Sequence, residues 1–436
     1  MILIHVPEIT SRVEYTMNYI FGEILKIKIQ LTDQESIFSD WNGARFSYGA
    51  APVSNEPFFQ SHHLLFENSV SSQHIEFISW EGFNVFFPVK NGLLPFDIFA
   101  ATFYLISRYE EYLPHQRDKH NRYSHQESVC YKGKFLEYPI VNIWVSALKK
   151  ILENHYPNLL IPRPAFTFTP TIDIDNAFAY QHKGLLRNSA QLSRHLLSLN
   201  FRRFRKRFKV MLRLEQDPFD SYEKQSMIHE KYHTEPNYFV LLGDLSKYDR
   251  NLSHTNSGYR KIIQDLSTQA KVGIHPSYSS NQSFEQLALE KNRLEEITNT
   301  PVIASRQHYL KIKLPETYRN LIRLGIKEDY SMGYAATGGY RAGTSTPFYF
   351  FDLEKNQKTD LKVIPFAFMD TGMKVYMKKK SKEVIPYVKQ LTHPLRETGG
   401  HLTYIFHNES IGGKGMWKNW NNTYEDIIRT LLTDNK

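Results

Sequence analysis

Beyond about residue 165 the chain alternates short apolar runs with longer stretches whose apolar positions recur every three to four residues. The apolar runs at 165–173, 238–243, 272–275, 302–305, 327–331, 361–368 and 402–406 predict strands, and the intervening periodic stretches predict helices. One helix begins at Ser283, with Ser283 and Gln286 in capping-box spacing and Phe284, Leu287, Leu294 and Ile297 on one face. A second starts at Pro315 and runs through Tyr318, Leu321 and Ile322 to Gly325. Such βα alternation implies an α/β fold with a parallel sheet, and about seven strands are enough for a barrel. Residues 1–160 differ. A strand-like piece at 78–89 precedes helical stretches at 97–112 and 139–152 without regular alternation, so a smaller α/β domain is expected there, ahead of the barrel at 161–436.

A length of 436 residues fits two domains, and 41% hydrophobic residues can fill their cores. Aromatics make up 14%, which suits ring-shaped ligands as well as packing. The single cysteine, Cys130, excludes an internal disulfide and a cysteine zinc cage. The first residues lack the basic start, long apolar stretch and cleavage site of a signal peptide, and no run reaches the ~20 apolar residues of a spanning helix. A cytoplasmic location is the expectation.

The net charge of +9 originates largely in residues 181–213, which hold ten Lys or Arg and no acid. Within them Phe201, Phe204, Phe208 and either Met211 or Leu212 recur at helical spacing, predicting a basic amphipathic helix. It can dock on its own domain, adsorb to an anionic membrane surface, or bind an anionic polymer. No nucleic-acid-binding motif accompanies it, so nucleic acid is not an expected partner.

Candidate chemistry gathers where the predicted strands end. Thr171-Ile-Asp-Ile-Asp175 places Asp173 and Asp175 two residues apart, on one face of a strand, where their repulsion calls for a proton or a metal cation. Capping of a following helix is the alternative use for such residues. Later strand ends supply His275, the pair Arg306 and His308, then Asp329, Arg341 in a glycine-containing loop, and finally His407. Singly each suits a salt bridge or a core as well as a site, but together they outline an active centre. The clusters Arg108-Tyr-Glu-Glu-Tyr112 and Asp118-Lys-His-Asn-Arg-Tyr123 fit ion-paired helix ends and turns, with substrate recognition as the alternative.

The order Thr-Ile-Asp-Ile-Asp, His275-Pro-Ser-Tyr278, Arg306-Gln-His-Tyr309, Leu324-Gly-Ile-Lys-Glu-Asp329 and Phe406-His-Asn408 resembles the polysaccharide deacetylases, over roughly 165–436. That family consists of metal-dependent carbohydrate esterases on a distorted (β/α)7 barrel. The resemblance implies Asp173 as general base, Asp175 and His275 as metal ligands, Arg306 as the residue orienting the base, and His407 as the acid protonating the leaving amine. The family's second metal histidine falls at Ser279, and His308 is the expected replacement. The implied cofactor is a divalent metal, zinc first, polarising an acyl carbonyl and lowering the pKa of a water nucleophile. Asp329 takes the family's supporting acid position. Arg341, Tyr278, Tyr309, Tyr340, Trp417 and Trp420 are candidates for substrate contact, and Gly412, Gly413 and Gly415 for a lid or a turn. The expected substrate is an acetylated polysaccharide or oligosaccharide. The alternatives are a non-catalytic glycan-binding or scaffolding protein, and a membrane- or polyanion-binding protein led by the basic helix.

Overall fold

The computed structural model describes residues 1–433, without the side chains at 185–187. The chain forms two compact units, neither continuous in sequence. The first comprises Met1–Phe168, Ile312–Phe368 and Gln390–Thr403; the second comprises Thr169–Lys311, Met369–Lys389 and Tyr404–Lys436.

In the first unit the opening run Ile2–His5, whose three apolar residues are fully buried, pairs in parallel with Ile29–Thr32 on one side and Arg45–Gly49 on the other. Arg45–Gly49 pairs in parallel with Phe58–Gln60, completing four strands. Alternation within residues 1–160 is partial: helices separate the first three strands, but none lies between Arg45–Gly49 and Phe58–Gln60 or between Phe77–Trp80 and Phe83–Phe86. These strands are only three to five residues long, too short to register as periodic patterns in the sequence. The strand-like piece at 78–89 is an antiparallel hairpin, Phe77–Trp80 with Phe83–Phe86, turning on Glu81 and Gly82, both with positive φ. Helix Ile98–Ile106 is wholly buried, and Asp97 caps it by accepting from Phe99 N and Ala100 N at 2.9 Å. Farther along, the expected strand 361–368 is two strands, Gln357–Val363 and Phe366–Met369, parted at Ile364 and Pro365, where proline has no N–H to donate. Gln357–Val363 also forms an antiparallel pair with Phe348–Asp352, a strand the sequence reading missed.

The second unit carries the expected βα alternation. Strands Phe166–Ile174, Asn237–Val240, Lys271–Ile274 and Ala304–Ser305 lie side by side in parallel. The strand ending at His407 flanks the strand ending at Ile174 on its other edge. Helix Phe284–Thr298 starts as predicted, with Ser283 Oγ accepting from Gln286 N at 3.2 Å. The reciprocal half of the box is not made: the Ser283 N–H donates to the Ser280 carbonyl at 3.2 Å, and Gln286 Nε2 donates to Glu290. Between the first two strands lie helices Leu185–Leu197 and Phe201–Met211. The protein is thus α/β, with parallel strands delivering their carboxyl ends to one rim of the second unit.

Candidate metal centre and active site

Strand register explains why distant residues meet. Ile174 pairs with Val240, Val240 with Ile274, and Ile274 with Ser305, so the next residues along three of these strands, Asp175, His275 and Arg306, emerge at one level. His308 follows in a turn after Ala304–Ser305. The outcome is a tight convergence. Asp175 Oδ1 lies 3.3 Å from His275 Nε2, and Asp175 Oδ2 lies 3.4 Å from His308 Nε2. One ligand atom from each residue falls within 4.8 Å of the others, a set able to hold a metal ion.

The outward ring nitrogens are tied down. His275 Nδ1 donates to the Arg306 carbonyl at 2.5 Å, and His308 Nδ1 donates to Asp249 Oδ1 at 2.8 Å. A carbonyl and a carboxylate only accept, so each ring keeps its proton on Nδ1 and turns Nε2 toward Asp175. Carbonyl and carboxylate partners behind ligating histidines are the usual support of metal sites. Asp175 Oδ1 is buried with no hydrogen-bond partner among the described residues, which fits an oxygen that serves a cation. The electrostatics agree. Burial disfavours the His308 imidazolium, but Asp175 and Asp249 outweigh it and push the ring up to about 9. Burial likewise opposes the Asp175 carboxylate, yet His308, His275 and His407 hold it well below the usual range. A cation taking this place would have to displace the His308 proton, since a ligating imidazole is neutral. Ser279 is exposed, its hydroxyl 3.0 Å from Ser277 Oγ, and belongs to no ligand set in the described residues.

Two polar pairs border this triangle. Asp173 Oδ1 accepts from Arg306 Nη1 at 2.9 Å, and the same Nη1 donates to Thr171 Oγ1 at 2.7 Å; Asp173 Oδ2 stands 3.9 Å from His275 Nε2. On the other side His407 Nε2 is 3.8 Å from Asp175 Oδ2, and its Nδ1 donates to Asp370 Oδ1 at 2.8 Å. Asp370 is fully buried, receives the His407 backbone N–H at 2.8 Å and also accepts from Ser410 Oγ. Burial opposes the His407 cation, but Asp370, then Asp175 and Asp173, raise it well above the usual histidine range. Burial also pushes the neighbouring Glu409 carboxyl up to about 7 against the pull of His407.

The other predicted residues divide. Tyr278 and Tyr309 are half-buried and meet edge to face at 5.3 Å; Tyr309 packs on His308 at 4.6 Å, and Tyr278 stacks on Tyr248 at 4.2 Å. Trp417 is corrected: it is 4% exposed, packed against Trp420, so it presents no open platform. Tyr340, also expected to stack on sugars, is buried in the first unit with its hydroxyl on the Leu391 carbonyl. Arg341 is corrected too. Its guanidinium sits in the interior of the first unit, gripped by both oxygens of Glu111 at 2.9 and 2.6 Å, because a buried cation needs a fixed counter-charge. Asp329, likewise in the first unit, is buried and accepts from Ser331 N and Oγ at 3.0 and 2.9 Å. The carboxylate hydrogen-bonded to His407 is Asp370. Sequence reasoning missed Asp249 and Asp370, although Asp370 stands directly after Phe366–Met369 and the strand-end rule identifies it.

Residues 2–157 match the model of a family of unknown function, DUF7033. No curated protein matches the chain. Among solved structures, a polysaccharide deacetylase candidate from Mycobacterium smegmatis is 10% identical, covering 63% of this chain and 86% of its own, with a TM-score of 0.40. A second candidate of that class, from Pseudomonas aeruginosa PAO1, is 10% identical over 61% of this chain and 84% of its own, TM-score 0.38. The chain is similar as well to a polysaccharide deacetylase from Bacillus cereus, at 10% identity over 62% of this chain and 88% of that one, with a TM-score of 0.29.

Proposed function

We propose that the second unit is a (β/α)-barrel hydrolase that removes an N- or O-linked acetyl group from a glycan or glycan precursor, with a divalent cation, zinc first, held by Asp175, His275 and His308. The observation that carries this reading is the convergence of one carboxylate and two Nε2 atoms whose rings are locked from behind by the Arg306 carbonyl and Asp249. A cation bound there supplies Lewis acidity at the acyl carbonyl and favours ionisation of water. The remaining roles belong to the chain. Asp173, its first oxygen fixed by Arg306, turns its second oxygen toward the metal triangle and accepts the proton of the attacking water. His407 stays protonated because Asp370 backs it, and its Nε2 proton passes to the departing nitrogen or oxygen as the carbon–heteroatom bond breaks. Acetate and a free amine or alcohol result. Tyr278 and Tyr309 offer ring surface beside His308 for a sugar face.

The test combines metal analysis of the purified protein with acetate release from N- and O-acetylated glycans. The expected result is about one equivalent of a divalent metal, lost in His308→Ala together with activity. Full metal content in His308→Ala would exclude the third ligand. A metal-loaded protein releasing no acetate from any glycan offered would favour the glycan-binding or scaffolding reading.

A further inference from the structure

The second unit carries an exposed surface that its catalytic reading does not use. Of the large hydrophobic residues that stand exposed, seven fall within nineteen positions: Leu196, Leu197, Leu199, Phe201, Phe208, Leu212 and Leu214. They belong to helices Leu185–Leu197 and Phe201–Met211 and the segments that follow each. An amphipathic helix normally buries its apolar stripe against its own domain. Here the orientation is reversed. Helix Phe201–Met211 seats itself by Val210, which is fully buried, and by Arg207, whose Nη1 donates to Asn188 Oδ1 at 2.9 Å and whose guanidinium lies 4.7 Å from the Tyr180 ring. Helical spacing puts Phe201, Phe204, Phe208 and Leu212 on one stripe, opposite Val210. That stripe faces outward: Phe201 is 60%, Phe208 47% and Leu212 54% exposed, with Leu197 at 85% beside them. Phe204 and Phe208 stack at 6.2 Å, so the rings form a surface rather than separate tips.

Charge selects the occupant. Residues 181–213 hold ten cations and no acid, and Arg202, Arg203, Arg205 and Arg213 are all exposed. A second copy of this surface would meet it with like charge, which disfavours self-association. A purely polyanionic partner leaves the apolar stripe in water. An anionic lipid surface satisfies both, since rings and leucines enter the interface while arginines reach headgroup phosphates. Among the described residues no helix is long and apolar enough to cross a membrane, so the attachment is peripheral. We infer that the helical pair at 185–211, with the segment to Leu214, docks the protein on anionic membrane.

Flotation of the full chain with phosphatidylcholine vesicles, with and without phosphatidylglycerol, tests this. The protein is expected to float with the anionic vesicles only and to release in high salt. Because each basic residue adds about five-fold to partitioning near anionic lipid, Arg202→Ser with Arg203→Ser and Arg205→Ser should weaken binding by about two decades. Phe201→Ser with Phe208→Ser and Leu212→Ser should weaken it at least ten-fold while leaving metal content and the melting temperature unchanged. No flotation, or flotation equal to wild type in the phenylalanine variant, overturns the inference. So does a wild-type dimer in gel filtration that the phenylalanine variant converts to monomer, or retention on heparin that only the arginine variant abolishes in a protein that does not float.

Discussion

Each histidine of the centre has one nitrogen committed and one to offer, and that division makes the supporting acids testable apart from the ligands. Asp249→Asn replaces a pure acceptor behind His308 with an amide that can present its N–H₂, so the ring is no longer held in one tautomer. The expected outcome is a loss of metal affinity of about 10–100-fold, read by competition with a chromophoric chelator. Asp370→Asn acts on the other side. It leaves Asp175, His275 and His308 untouched, so metal content is expected to persist while kcat falls by about 10²–10⁴-fold, the usual worth of a general acid. A parallel loss of metal would remove His407 from the proton-donor role and make it part of the binding set. The sequence brings forward Asp173, Asp175, His275, Arg306, His308 and His407 because each stands at or just after the end of an apolar run. The two supporting acids were not singled out, since an aspartate after a strand reads as a turn residue until its partner is known. Arg341 and Trp417 misled for the opposite reason. Glycine-flanked arginines and tryptophans look like ligand contacts, and only three-dimensional packing shows Glu111 and Trp420 already occupying them.

At the level of elements, local signals served where a cap or a period was strong and failed where pairing is non-local. Ser283 starts its helix through a side-chain oxygen accepting from Gln286 N, so Ser283→Ala should cost roughly 1 kcal/mol in chemical denaturation, without affecting metal content. A cost near zero would mean that packing of Leu287, Leu294 and Ile297 alone sets the helix start. The strands at 237–240 and 271–274 are legible to within a few residues because Tyr238–Val240 and Val272–Ile274 are short runs without a charge, and each strand ends buried. Strand Phe348–Asp352 escaped notice because its partner is antiparallel and its register shifts between Tyr349 and Phe351, which breaks the simple alternation. The amphipathic period at 201–212 was visible, but period alone carries no direction. Which side faces outward is decided by Val210 and Arg207, residues that look ordinary in the sequence.

On the scale of the molecule, the first unit joins segments far apart in the chain, and its buried ion cluster shows how. Arg108 donates to Glu111 Oε1 at 2.8 Å, to Glu110 Oε1 at 2.7 Å and to the Arg341 carbonyl at 2.5 Å, while Arg341 returns two bonds to Glu111 across a separation of 230 residues. All four side chains are buried, so loss of one partner strands a charge; Glu111→Gln is expected to destabilise the protein by about 3–5 kcal/mol in denaturant unfolding. The cluster also dictates a pH dependence. Burial pushes the Glu111 carboxyl up, but Arg341 and Arg108 outweigh it and bring it down to about 2. A depressed folded-state value means the unfolded chain binds the proton more readily, so the stabilisation is present above the ordinary glutamate range and is lost as pH falls from about 4.5 through about 2. Glu110 behaves oppositely, raised because burial exceeds the pull of Arg108, so its protonation does not add to the acid loss. The slope of unfolding midpoint against pH in that window should therefore be shallower in Glu111→Gln than in wild type. Equal slopes would assign the acid sensitivity to carboxylates elsewhere and leave the Glu111 pair as a packing element only.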